Sequence, residues 1–210
     1  SQSKYDVILT VVSKKIFKEY KNSINKNNVN VLEEDDIKNF SLLKNNRDGF
    51  CVVKKVSNSF SFKKLGNLSI ALDSLNDPGN LGTIIRNADW FGIQNIICSK
   101  NCVDVYNPKV VQSTMGSILR VSINYVNLVK EIQNLSKYKL FSSVLDGRNI
   151  NDIDINGNSI ILFGNESKGI SDELISLSEN KISIPKLSSS KIDSLNVSNA
   201  CAIVLNNFIR

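Results

Sequence analysis

Short apolar runs separated by polar, helix-compatible stretches recur along the chain, in two sets divided by a polar segment. In the first set the run Val7–Val12 predicts a strand and Ser13 to Ser23 a helix. A strand at Val29–Leu32, a short helix with an acidic start from Glu34, and a strand at Phe50–Val56 follow. This is a small α/β unit. The stretch Ser57–Asn67, rich in Ser and Lys and carrying Gly66, reads as a linker.

Beyond it the alternation is cleaner. Strands are expected at Leu68–Asp73, Gln94–Cys98, Arg120–Tyr125, Lys139–Leu145, Ser159–Phe163 and Lys181–Ile184. Helices are expected at Leu81–Phe91, Pro108–Ser117, Asn127–Leu135, Ser171–Leu177 and Ser194–Phe208. Strand–helix alternation of this kind predicts an α/β fold with a largely parallel sheet flanked by helices. The resulting division is residues 1–63 for the small unit with its linker and 64–210 for the larger domain.

Composition narrows the chemistry. With 210 residues and 41% hydrophobic content the chain can bury a real core. No apolar run approaches the roughly 18–20 residues that span a bilayer, and the opening SQSKYDVILT lacks the order of a signal peptide, so no membrane partner is expected. Cys51, Cys98, Cys102 and Cys201 form no CxxC pair, which fits reduced core thiols in a cytoplasmic protein. The absence of histidine removes Ser-His-Asp and Cys-His schemes and imidazole-based zinc sites, so any chemistry must run on other groups. There are 26 Lys and Arg against 20 Asp and Glu, a net charge of +6 that suits a polyanion such as RNA. The same Lys, Asn and Ile usage also fits an AT-rich genome.

Three segments place Gly, Asn and charged groups just past the ends of expected strands, where open α/β sheets bind ligands. None is a GxGxxG or GxxxxGK[ST] loop, so a nicotinamide or ATP enzyme lacks its usual phosphate cradle. In LDSLNDPGNLGTIIRNADWFG (72–92) a turn at Asn76–Gly79 precedes a helix that Asn80 is suited to cap. Arg86 then lies less than two turns from the amide-rich end, a site for an RNA phosphate, although a lone Arg there more commonly makes a surface ion pair. In IILFGNESKGIS (160–171) Gly164 and Gly169 bracket Asn165 and Glu166, which allows close approach to a ligand and also fits an ordinary strand-to-helix turn. The third segment, ISIPKLSSSKIDSLNVSNACAIVLNNF (182–208), ends in a helix with the apolar face Ala200, Ile203, Val204 and Phe208. That helix reads as core packing, but its polar opening Ser194–Ser198 does not.

Together these segments resemble the three motifs of the SpoU (TrmH-like) RNA 2′-O-methyltransferases of the trefoil-knotted SPOUT class, in order and spacing, across about 140 residues. Residues 107–121 also look like the family's segment between its first two motifs. The resemblance implies a C-terminal trefoil knot, S-adenosylmethionine as cofactor in a pocket that needs no metal, tRNA or rRNA as substrate, and a homodimer. It implies that Gly164, Asn165, Gly169, Ile184 and Leu195 form the cofactor pocket, and that Arg86, Asn80, Glu166, Ser194 and Asn196 are the catalytic set. Arg86 would clamp a phosphate and stabilise the developing alkoxide, since a guanidinium is a poor base. Glu166 would orient Arg86 or nearby loops, and the two Asn and Ser194 would hold ribose or loops.

The first unit resembles a ribosomal-protein-like RNA-binding domain that opens part-way through. Lys186 to Asp193 make a longer, glycine-free loop than the commonest version of the third motif. A non-catalytic RNA-binding or ribosome-assembly protein with the same fold is the alternative. A nicotinamide oxidoreductase and a small-molecule methyltransferase fit less of the sequence.

Overall fold

The computed structural model describes residues 5–24, 28–43, 45–55, 65–155 and 157–209, and its chain divides into two compact units, Ser1–Ser57 and Asn58–Arg210. Most of the expected linker and the end of the strand expected at Phe50–Val56 lie outside the described residues. Leu65, assigned to the linker from the sequence, is instead buried in the core of the second unit, and its carbonyl accepts a hydrogen bond from the Tyr138 hydroxyl at 3.1 Å.

The first unit is a three-stranded sheet in the order β2-β1-β3, built from β1 (Val7–Ser13), β2 (Val29–Leu32) and β3 (Gly49–Val53). The parallel β1–β2 pair is joined through α1 (Lys14–Glu19), while β3 runs antiparallel to β1. Ser13 caps α1 by accepting from the Ile16 amide. The helix stops at Glu19, four residues short of expectation, where Asn22 and Ser23 favour turn geometry over further helix. In α2 (Glu34–Phe40) the acidic first turn complements the helix dipole and Ile37 is fully buried.

In the second unit six strands form one sheet in the order β6-β5-β4-β8-β7-β9, and every pairing in it is parallel. They are β4 (Leu68–Leu72), β5 (Asn95–Ser99), β6 (Ser122–Val126), β7 (Lys139–Asn149), β8 (Ser159–Phe163) and β9 (Asn180–Ser183). Two apolar clusters cover its faces. Ile70, Leu72, Ile96, Ile161 and Phe163 pack with α3 (Pro78–Trp90), α4 (Pro108–Ser113) and α7 (Val197–Phe208). Ala71, Ile97, Ile160 and Leu162 pack with α5 (Leu128–Gln133) and α6 (Asp172–Ser176) on the other. Burial on both faces explains why Ile96–Cys98 in β5 and Ile160–Phe163 in β8 are consecutive apolar residues rather than alternating ones. No helix among the described residues is long and apolar enough to cross a membrane.

The differences from the expected elements have local causes. The α4 helix ends at Ser113 because Met115 and Gly116 take positive φ, 49° and 86°, and divert the chain into a 3-10 turn at Ser117–Leu119. The buried face of α7 is Ser198, Cys201, Val204 and Leu205, so Ile203, expected inside, is 41% exposed. Strand β7 runs four residues past Leu145, with a register shift against β9 between Ser143 and Arg148. At Gly147 a Cβ would lie 2.5 Å from the Ile182 backbone, so the strands close on each other only at a glycine. Adjacent strands β4 and β8 lead to helices on opposite faces, making a switch point at their carboxyl ends.

Candidate active site

The site begins where β4 leaves the sheet. Asp73 donates its amide to the Phe163 carbonyl at 2.9 Å and so extends the β4–β8 ladder by one bond. Its buried carboxylate accepts from the Ser74 hydroxyl at 3.0 Å and from the Ser171 amide at 2.9 Å, tying this turn to the start of α6. Ser74 has a φ of 54°; its amide donates to Ser99 Oγ at 2.8 Å and its carbonyl accepts from Asn165 Nδ2 at 2.7 Å. Behind it the Cys102 thiol donates to the Leu72 carbonyl and accepts from the Leu75 amide, both at 3.3 Å. Hydrogen bonding with Cys98 brings the Cys102 thiol down to about 7 despite its burial.

Asp77, not Asn80, caps α3: its Oδ1 accepts from the Asn80 amide at 2.7 Å and Pro78 supplies the first helical residue. With Asp77 in the capping place expected for Asn80, the Asn80 side chain is left free to bridge loops. Asn80 Nδ2 donates to Glu166 Oε1 at 3.0 Å, and the same oxygen accepts from the Asp77 amide at 3.3 Å. Asn80 Oδ1 accepts from Asn196 Nδ2 at 2.9 Å. Asn196 in turn caps α7, its Oδ1 accepting from the Ser198 amide at 2.9 Å and hydroxyl at 2.6 Å. The expected helix start at Ser194 thus moves to Val197, with the polar opening outside the helix. Asn87 Nδ2 closes the chain on the Ser198 carbonyl at 3.0 Å.

An ionised carboxylate can only accept, so Glu166 dictates the orientation of the Asn80 amide, and Asn80 dictates that of Asn196. One acceptor oxygen therefore sets the polarity of a relay whose two links join residues 86 and 116 positions apart in sequence. Asn80 is only 8% exposed, which makes these bonds stringent.

The loop after β8 is stapled to itself. Asn165 and Gly169 exchange both backbone hydrogen bonds at 2.9 Å, and Asn165 Oδ1 accepts from the Ser167 and Lys168 amides at 3.0 Å. Asn165 thus spends its polar atoms on the loop and on Ser74. Gly169 has a φ of +70°, and a Cβ on Gly164 would lie 2.2 Å from the Gly169 carbonyl carbon, so both positions require glycine.

Not every expected residue joins this network. Arg86 is exposed on α3, six residues and about 9 Å along the axis from Asn80, with no hydrogen bond or ion pair to any described residue. Ser194 is likewise exposed and unbonded, Leu195 is 49% exposed, and Ile184 is half-buried against the core. The loop Lys186–Asp193 is exposed throughout and closes on itself, with Lys186 Nζ donating to the Ile192 carbonyl at 2.5 Å. Two cavities, of about 450 and 410 Å³, meet at Lys139 and Glu179 and contain none of these residues. Among the described residues no cluster of Cys, Asp or Glu could hold a metal ion.

Residues 67–206 match the model of the SpoU rRNA methylase family. The chain belongs to this family. An uncharacterized tRNA/rRNA methyltransferase of Borreliella burgdorferi is 32% identical over 184 residues, 83% of this chain and 80% of that protein. A 23S rRNA uridine 2′-O-methyltransferase of Streptomyces viridochromogenes is 31% identical over 68% of this chain and 52% of its own length. The chain thus spans about half the length of several curated relatives. Among solved structures, an RNA methyltransferase of the TrmH family from Porphyromonas gingivalis superposes with a TM-score of 0.86 at 28% identity, covering 98% of this chain and 83% of that one. An AdoMet-bound rRNA methyltransferase from Sinorhizobium meliloti gives 0.83 at 25% identity, with 97% and 80% coverage.

Sequence reading of this SpoU-family chain missed Asp73, Asp77, Gly147 and Ser198. A usable signal existed for two of them: Asp directly before Pro marks a helix cap, and Ser two residues after Asn fits a capped first turn.

Proposed function

We propose that this chain transfers a methyl group from S-adenosylmethionine to a ribose 2′-hydroxyl of tRNA or rRNA. The observation that carries this reading is the Glu166–Asn80–Asn196 relay, which gathers all three motifs at the carboxyl ends of β4 and β8. The AdoMet named with the Sinorhizobium meliloti structure and the substrates named for the relatives support the same chemistry.

The residues suit the cofactor. The half-exposed Leu195 and half-buried Ile184 offer apolar flanks, and the stapled loop at Gly164 and Gly169 brings backbone rather than side chains to its edge. When bound, the cofactor supplies an electrophilic methyl on a sulfonium. The chain's own work is then positioning and electrostatics. Arg86, permanently charged and without a partner among the described residues, clamps an RNA phosphate and stabilises the charge on the oxygen as the hydroxyl passes its proton to solvent water. Glu166 acts on the loops through Asn80, so it is a positioning residue, while Ser194 stands free to bond ribose.

We read the stretch from β9 to α7 as the threaded part of a trefoil knot: it must cross from one edge of the sheet back to α3, past the excursion of β7 at Val144–Gly147. The first unit is read as a ribosomal-protein-like RNA-binding domain and the active form as a homodimer. All four cysteines are free thiols, which supports a cytoplasmic setting. Three are buried and Cys51 is exposed, a correction to the expectation of core thiols only.

The test is calorimetric titration of S-adenosylmethionine followed by mapping of 2′-O-methyl positions in RNA treated with the protein. Cofactor binding with site-specific methylation is expected. RNA binding without cofactor binding would favour the non-catalytic alternative.

A further inference from the structure

Trp90 is the chain's single tryptophan, and it stands 85% exposed at the end of α3. Isolated exposed apolar residues are ordinary, but this indole has company. Arg86 precedes it by one helical turn, a spacing that puts both side chains on one strip of the helix, about 5–6 Å apart at Cβ. Asp89, the residue before it, accepts from Ser117 Oγ at 2.8 Å and from Arg120 Nη2 at 2.6 Å, docking the following turn against this end of α3. That docked segment carries Met115 and Leu119, 69% and 43% exposed. Trp90 thus presents a broad aromatic face one helical turn from a cation that has no partner among the described residues, on a chain of net charge +6, with Met115 and Leu119 exposed on the segment docked at the same end of α3.

We propose that Trp90 is a stacking platform for an unpaired RNA base beside the ribose being modified, and therefore a determinant of the single-stranded context the enzyme accepts. An aromatic face joined to a nearby guanidinium is the chemistry by which proteins hold single-stranded nucleic acid: the cation takes the phosphate and the ring takes a splayed base. One helical turn, about 5.4 Å, suits the span between a nucleotide's phosphate and its base. The inference rests on the proposed methyl transfer to RNA and extends it to the neighbouring nucleotide.

Because Trp90 is the only tryptophan, its emission reports on this strip alone. Oligouridylate and oligoadenylate are titrated into the full chain while tryptophan fluorescence is followed. Saturable, salt-sensitive quenching is expected. Trp90→Ala should weaken oligonucleotide binding and raise the KM for total RNA by about tenfold or more. Trp90→Phe should recover most of that loss, with S-adenosylmethionine affinity and sedimentation mass unchanged in both variants. Absence of quenching, or a wild-type RNA KM in Trp90→Ala, overturns the proposal. So does a fall of the Trp90→Ala protein to half the wild-type mass, which would make the strip a contact between copies of this chain. A wild-type protein that quenches with oligonucleotides yet transfers no methyl group would refute the proposed reaction while leaving the stacking surface in place.

Discussion

Two parts of the motif region are built in opposite ways. Asn80, Glu166 and Asn196 use their polar atoms on one another, and Asn165 uses its own on its loop, whereas Arg86 and Ser194 have no described partner at all. Groups already bonded hold a shape, and groups left unbonded in solvent are available to something that arrives. Under the proposed reaction this difference separates residues that position the site from residues that meet substrate, although both kinds sit in the same motifs.

The strongest way to break this division is at Arg86. Arg86→Ala should lower methyl transfer by about a hundredfold or more while cofactor affinity, followed by calorimetry, stays within a few-fold. A large loss of cofactor binding would move Arg86 to the positioning group. Next is Gly164→Ala, in which the new Cβ meets the Gly169 and Ile170 backbone at 2.2–2.3 Å. A urea titration should find about 2 kcal/mol or more of lost stability, together with weakened cofactor binding.

Glu166 sharpens the comparison further. Glu166→Ala leaves the nearly buried Asn80 amide without its acceptor and should cost about 1–3 kcal/mol. Glu166→Gln can still present an oxygen to Asn80, so its stability and methyl-transfer rate should lie close to wild type. If Gln proved as damaging as Ala, the charge and not the hydrogen bond would be what matters.

The smallest effect is expected behind the strip, at Asp89. The Arg120 hydrogen bonds hold the Asp89 carboxyl below its ordinary value. A folded pKa below the unfolded one contributes stability that is complete above about pH 4 and is lost as pH falls through the folded value. Asp89→Asn should lower the Tm at neutral pH by about 2–4 °C. Its Tm should also decline less than that of wild type between about pH 5 and pH 3. Parallel curves in scanning calorimetry would contradict this account.

Much of this could be read along the chain. The consecutive apolar residues Ile70–Leu72, Ile96–Cys98 and Ile160–Phe163 do not alternate as in a half-solvated sheet, and with the strand–helix alternation they point to a parallel sheet covered on both faces. The motif residues were visible because glycines, asparagines and charges after such strands have no packing reason to be there. Helix ends were less legible: Asn80 and Asp77 are both good caps, and Pro78 decides between them only when its place in the first turn is weighed.

What sequence could not supply is any relation that depends on chain paths meeting. That Asn80 faces Glu166 on one side and Asn196 on the other depends on strand order, and strand order is set by how six strands share two apolar layers. The glycine at 147 carries no local signal either, since the constraint is the Ile182 backbone lying against it. Local pattern determined which residues form strands, helices and polar turns, because propensity and periodicity act over a few neighbours. Only the tertiary structure decided which polar groups are satisfied by one another and which, like Arg86 and Trp90, are left facing solvent.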